Sequence, residues 1–222
     1  MNQKAGEPTT LREKAYETFK ERLFSREIRP GQFLSQRELV AITGMPLGAI
    51  RELIPRLEAD GLIKTVPQRG MQIAHVDIDL IRNAFQLRLI LEREAVVSFC
   101  RAASQAEIAR LREDHLAVQR AAVEDGVTPE LLKNAQLMDW AFHDRMIDSI
   151  GNELISSIYR VNSVKIRVIR QEDTRMLPEL VTSVMSEHMR IVEALAARDE
   201  EAALEALEAH IDSARRRALG VG

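Results

Sequence analysis

Cysteine is almost absent: the chain has one, Cys100, in 222 residues, which excludes a disulfide framework. It closes the apolar run Ala95 to Cys100 and reads as a small buried hydrophobe. No apolar run approaches the roughly 18 residues that a spanning helix needs. The first residues also lack the apolar core of a signal peptide. A cytoplasmic protein with no membrane partner is the expectation. Strong net charge is missing too, at −3, which argues against a general nucleic-acid binder. No unit repeats with a period of about 20–50 residues, so a solenoid is excluded. Strand patterns all but vanish after residue 76.

What remains is 45% hydrophobic, enough for a core, in a length that suits one or two domains. The charge is unevenly placed. Residues 1–75 hold 12 Lys and Arg against 9 Asp and Glu, net +3, and the remainder 19 against 25, net −6. A basic head on an acidic body suits a DNA reader joined to a separate sensing domain. The expected boundary is 1–75 and 76–222.

The head is punctuated clearly. Thr10 can cap a helix to about Arg26 with Ala15, Phe19, Leu23 and Phe24 inward, and Arg29-Pro30-Gly31 is a turn. Ser35 with Glu38 three residues on forms a capping box for a short helix that Gly44 stops. Pro46 opens a second helix, in which Ile50, Leu53, Ile54 and Leu57 recur at spacings of three and four. Pro55 lies inside it and should kink or shorten it. Leu62 to Val66 and Met71 to His75 are β-favouring runs around Pro67-Gln68-Arg69-Gly70, a hairpin with a basic tip. Helix, tight turn, helix and basic hairpin make a winged helix-turn-helix, whose second helix fits the DNA major groove.

These residues resemble the DNA-binding domain of the GntR-type transcriptional regulators. The matches are Arg37-Glu38-Leu39, Gly44, Arg51-Glu52, Arg56-Leu57-Glu58-Ala59, Gly61-Leu62 and Arg69-Gly70. The resemblance implies DNA contacts from Ser35, Gln36, Arg37, Leu47, Gly48, Arg51, Arg69 and Gly70. The chain departs from the family at the tip of the recognition helix. Pro46-Leu47-Gly48-Ala49 stands where the family has Ser-Arg-Thr-Pro, so the family's usual guanine-reading Arg is Leu47 and its phosphate-touching Thr is Gly48. The usual operator therefore does not transfer.

From residue 77 onward the pattern gives six helices, roughly 77–102, 104–124, 128–149, 152–171, 177–198 and 200–218, an all-α bundle. Asp139 and His143, four apart, share one helix face. His188 and His210 lie on later helices, on sides shared with Val184, Ile191 and Leu195 and with Leu207 and Ile211. Three inward imidazoles and a carboxylate suit a divalent metal: zinc first, nickel or manganese as alternatives. From spacing alone, three independent hydrogen-bonded core histidines fit equally well. If a metal is held, ordinary imidazoles would lose it below about pH 6.

A second resemblance bears on that choice. Arg88 and Glu92, Asp139 with Phe142-His143, Ile150-Gly151-Asn152, His188 and His210 are similar to the pattern of the FCD effector domain of these regulators, in its shorter six-helix (VanR-like) subgroup. The resemblance implies that Asp139, His143, His188 and His210 hold a metal facing a pocket for a small effector, often a carboxylate. It also implies homodimers on an inverted-repeat operator, with repression the expected mode. Arg88 would clamp the effector carboxylate or simply pair with Glu92; Asn152 would orient the effector or cap the next helix. Lys165, Arg167 and Arg170 read better as a solvated face than as pocket residues, and His75 and His115 as surface or linker residues. Arg215-Arg216-Arg217 read as helix C-terminal charge. The alternative function is a helical metalloenzyme, since an open metal position can activate water. Against it, the bundle has no recognisable general base near the four ligands and no Glu-x-x-His pair.

Overall fold

The computed structural model describes residues 10–172 and 177–221, with 171 and 172 in backbone only. The chain divides into two compact units, the first ending at Asp77 and the second beginning at Ile78.

In the first unit, α1 (Leu11–Phe24) starts at a capping box made by Thr10 and Glu13. It buries Ala15, Tyr16, Phe19 and Leu23, so Tyr16 joins the expected face and Phe24 stays half-exposed. The Tyr16 hydroxyl donates to Asp60 at 2.8 Å, which ties α1 to the end of α3. Helix α2 (Gln36–Thr43) has its capping box at Ser35 and Glu38 and ends at left-handed Gly44. Helix α3 (Leu47–Ala59) has Pro46 at its N-cap and runs on through Pro55, so the expected shortening does not occur. Ile50, Leu53 and Leu57 are fully buried.

The hairpin is one strand larger than the alternation suggested. Besides β2 (Ile63–Val66) and β3 (Gly70–Ile73), a two-residue strand β1 (Phe33–Leu34) pairs antiparallel with β3 in the order β1-β3-β2. Two residues are too few to show a period. The third strand bolts the wing to the start of α2.

Among the described residues, the second unit is six helices: α4 (Ile78–Ala102), α5 (Gln105–Glu124), α6 (Pro129–Ser149), α7 (Glu153–Glu172), α8 (Pro178–Ala197) and α9 (Glu200–Ala218). Ser104 and Thr128 cap α5 and α6 by accepting from Glu107 N and Leu131 N. Packing is not confined to neighbours in sequence. Helix α4 touches α6, α7 and α9, and α8 touches α5, α6 and α9. That arrangement brings residues far apart in sequence to one point between α4, α6, α8 and α9. No helix among the described residues is long and apolar enough to cross a membrane.

Candidate metal centre

At that point lie Asp139 and His143 on α6, His188 on α8 and His210 on α9, all buried, with one ligand atom of each within 4.8 Å of the others. The four positions read from spacing thus converge. The lone pairs of the imidazoles can be worked out from their outer neighbours. His210 Nδ1 lies 2.8 Å from Glu187 Oε2, an oxygen that only accepts, so this nitrogen carries the proton and Nε2 is bare. His143 Nδ1 lies 2.8 Å from Glu92 Oε2, close, although outside hydrogen-bond angles; the carboxylate still favours the proton on that side. The two Nε2 atoms then face each other at 3.2 Å with lone pairs on both. His188 Nε2 and Asp139 Oδ1, 3.3 Å apart, are likewise buried without a hydrogen bond. Four buried ligand atoms turned toward one another are costly unless a cation or protons lie between them. The donor set and the orphaned atoms fit a divalent metal.

Electrostatics keep these groups ready to ligate. Burial pushes the imidazoles down, His143 to about 4, His188 to about 3 and His210 to about 4. They are neutral far below the pH 6 expected for ordinary imidazoles, so proton competition for the lone pairs starts lower than the sequence suggested. Burial alone would raise the Asp139 carboxyl, but the Arg170 guanidinium outweighs it and holds the group well below the usual carboxylate range. Arg170 pairs with Asp139 through Oδ2, which leaves Oδ1 to face the centre.

Around this lies a second ring. Arg88 Nε donates to Glu92 Oε1 at 2.8 Å, and the Tyr159 hydroxyl donates to the same oxygen at 2.7 Å. Arg217 Nη1 lies 3.3 Å from Glu187 Oε1. Each carboxylate therefore has its own guanidinium. A cavity of about 10 Å³, room for roughly one water, borders the centre and is lined by Arg88, Asp139, Trp140, His143, Tyr159 and Arg170.

Two expectations need correction. Arg170 is 6% exposed and belongs to the centre, and the Arg167 guanidinium stacks on Trp140 at 4.3 Å, so this side of α7 is not a solvated face. Tyr159, Asn162, Ile166 and Ile169-Arg170 recur at three and four, a stripe that was legible. His115 is fully buried, not a surface residue, and its Nε2 lies 3.1 Å from His188 Nδ1. Ile108, Leu111, His115 and Val118 gave the matching signal on α5. Asn152 is exposed and caps α7, its Oδ1 accepting from Leu154 N and Ile155 N at 3.0 and 3.3 Å. Arg88 is paired with Glu92 and also lines the cavity.

In the first unit, Ser35, Gln36, Arg37, Gly48 and Arg51 are exposed, and Leu47 is 39% exposed. Arg69 is exposed at the wing tip with its guanidinium 4.1 Å over the Phe33 ring. The Ser35 hydroxyl is committed to its cap, 2.8 Å from Glu38 Oε2.

Comparison with known proteins decides the family. Residues 11–73 match the model of the bacterial regulatory proteins of the gntR family, and residues 83–213 match that of the FCD domain. The chain belongs to the GntR family of regulators with an FCD domain. The Nta operon transcriptional regulator of Aminobacter aminovorans is 30% identical over 189 residues, covering 84% of each protein. The solved structure of McbR/YncC from E. coli superposes with a TM-score of 0.72 at 18% identity, over 93% of this chain and 95% of that one. The metal-free FCD domain of TM0439 covers 67% of this chain and 97% of its own, with a TM-score of 0.54 at 20% identity. This GntR-family chain is a DNA-binding transcriptional regulator, and its relatives are regulators rather than enzymes. FCD domains often bind metal, and this one carries the Asp/His cluster.

Proposed function

We propose that this regulator holds one divalent metal, zinc first, on Asp139, His143, His188 and His210, and uses it to sense a small carboxylate that changes operator binding, most simply as a repressor. The observation that carries this reading is the inward convergence of the buried atoms His143 Nε2, His210 Nε2, His188 Nε2 and Asp139 Oδ1. When bound, the metal supplies a Lewis-acid position that an anionic oxygen can occupy.

Charge supports an anionic effector. Asp139 is matched by Arg170, Glu92 by Arg88 and Glu187 by Arg217, and the imidazoles are neutral. With the three carboxylates already matched among the described residues, a divalent ion adds two positive charges to a buried site, and an effector carboxylate would offset them. The cavity of about 10 Å³ is too small for it. Binding therefore requires side chains to move, and Arg170, which reaches both Asp139 and the cavity, is placed to turn from the metal ligand to the effector. Arg88 and Arg167 are the other guanidiniums on that wall; Asn152, exposed at its cap, is the weakest of the proposed effector contacts. Such a rearrangement affects DNA binding only if the effector prefers one arrangement, and couplings of about 1–3 kcal/mol are typical.

On the DNA side, Arg37, Arg51 and Arg69 are proposed to carry the contacts, with Ser35 and Gln36 near phosphate. Leu47 would meet a thymine methyl, and Gly48 would let the helix N-terminus approach a phosphate. A homodimer would read two half-sites. Selection from random duplexes should enrich an inverted repeat; no enrichment, or a lone half-site, would count against the dimeric reader. On the selected operator, Arg51→Ala should weaken binding by about 1–3 kcal/mol in a gel-shift titration at fixed salt. Unchanged affinity would remove Arg51 from the interface.

A further inference from the structure

His115 lies outside the four-residue cluster, yet it is fully buried beside it. Its Nδ1 is 2.7 Å from the backbone oxygen of Leu111, one turn back on α5. A carbonyl oxygen only accepts, so Nδ1 carries the proton and, in a neutral ring, Nε2 is an acceptor. That acceptor is 3.1 Å from His188 Nδ1, which must therefore be the donor. The proton of His188 is thereby placed on Nδ1, and its Nε2 is left bare, turned toward Asp139 Oδ1 at 3.3 Å. Phe142 holds both rings in place, edge-on to His115 with centroids 5.2 Å apart and tilted against His188 at 4.8 Å.

The other two imidazoles have carboxylates behind them, Glu92 for His143 and Glu187 for His210. Among the described residues His188 has no such carboxylate, and its Nδ1 faces His115 Nε2 instead. We propose that His115 is a positioning residue of the metal centre: by relaying the Leu111 carbonyl to His188 Nδ1, it fixes the tautomer that turns the His188 Nε2 lone pair toward the metal. This rests on the metal-centre reading above. A neutral imidazole in that place orients the ligand without adding negative charge, unlike the carboxylates behind His143 and His210. Outer partners of metal-bound histidines carry about 10–100-fold of metal affinity.

The test compares His115→Phe with His115→Gln in the full-length protein, with zinc titrated against a chromophoric chelator. Phe keeps the ring packing against Phe142 but cannot accept from His188; the Gln Oε1 stands near the position of Nε2 and can. His115→Phe should lose about 10–100-fold in zinc affinity, and His115→Gln should recover most of it. Equal affinity in His115→Phe and wild type overturns the proposal, and so does a Gln variant as weak as Phe. If the Phe variant does not fold, long-range proton–nitrogen NMR of the metal-free wild type decides, with only five histidines to assign. Protons on Nδ1 of both His115 and His188 support the relay; a proton on His188 Nε2 overturns it. A wild type that takes up no zinc would sink the metal-centre reading, while the nitrogen spectrum would still report the tautomer by itself.

Discussion

Replacing His188 and His210 together by alanine should strip the bundle of its metal. Elemental analysis is expected to find a stoichiometric divalent ion in the wild type and none in the variant. The size of the effect follows from the donor count. A four-ligand zinc site holds its ion with about 10–16 kcal/mol of apparent binding energy, so losing two nitrogens removes several kcal/mol of it and binding at micromolar metal fails. The remaining pair, Asp139 and His143, sits on one helix, and Asp139 is already matched by Arg170. Glu187 keeps Arg217 as a partner in the variant, so the loss is not that of an abandoned buried carboxylate, and far-UV circular dichroism should stay helical. A double variant that keeps stoichiometric metal places the ion elsewhere, and the effector reading built on this centre falls with it.

Gly70→Val should unmake the wing. Gly70 has φ +87, and a Cβ there would stand 2.7 Å from the backbone oxygen of Leu34. That oxygen belongs to β1, which pairs with β3 through Leu34 and Met71, so it cannot step aside without breaking the ladder. A β-branched residue forced into the left-handed region costs about 1–3 kcal/mol in backbone strain alone. The clash comes on top of it. Thermal unfolding of the winged unit should shift down by several degrees or more, and operator affinity should fall because Arg69 loses the strand register and the Phe33 ring that place it. This separates two roles for Gly70. The resemblance to the GntR-type regulators implies a DNA contact there, whereas the geometry makes its first task structural. A Gly70→Val protein with wild-type stability would show that β1 is not held as described.

Legibility differed between levels. Helices were readable to within two residues because their ends carry chemistry: Thr10, Ser35, Ser104 and Thr128 all cap where the pattern placed them. The four residues of the cluster were legible as inward-facing because they sit on apolar stripes and Asp139 and His143 share one face; that they form one set came from the resemblance to the FCD domain. The ring behind them was not. Glu187 and His210, His115 and His188, and Arg170 and Asp139 are pairs between helices, 23, 73 and 31 residues apart, and no period within one helix shows which neighbour it will meet. Arg170 and His115 failed for a simpler reason: charged and polar residues on an inward stripe were read by type rather than by position. Strand β1 was lost because pairing with β3, not propensity, makes it a strand.

The central claim, one divalent metal per chain in a dimeric regulator, is tested most directly by native mass spectrometry of freshly purified full-length protein. The expected spectrum is a dimer carrying two divalent ions, with any retained effector appearing as a further small mass that acid removes together with the metal. A monomer, or a dimer at the bare mass of two chains that gains no ion when zinc is added, would contradict the account.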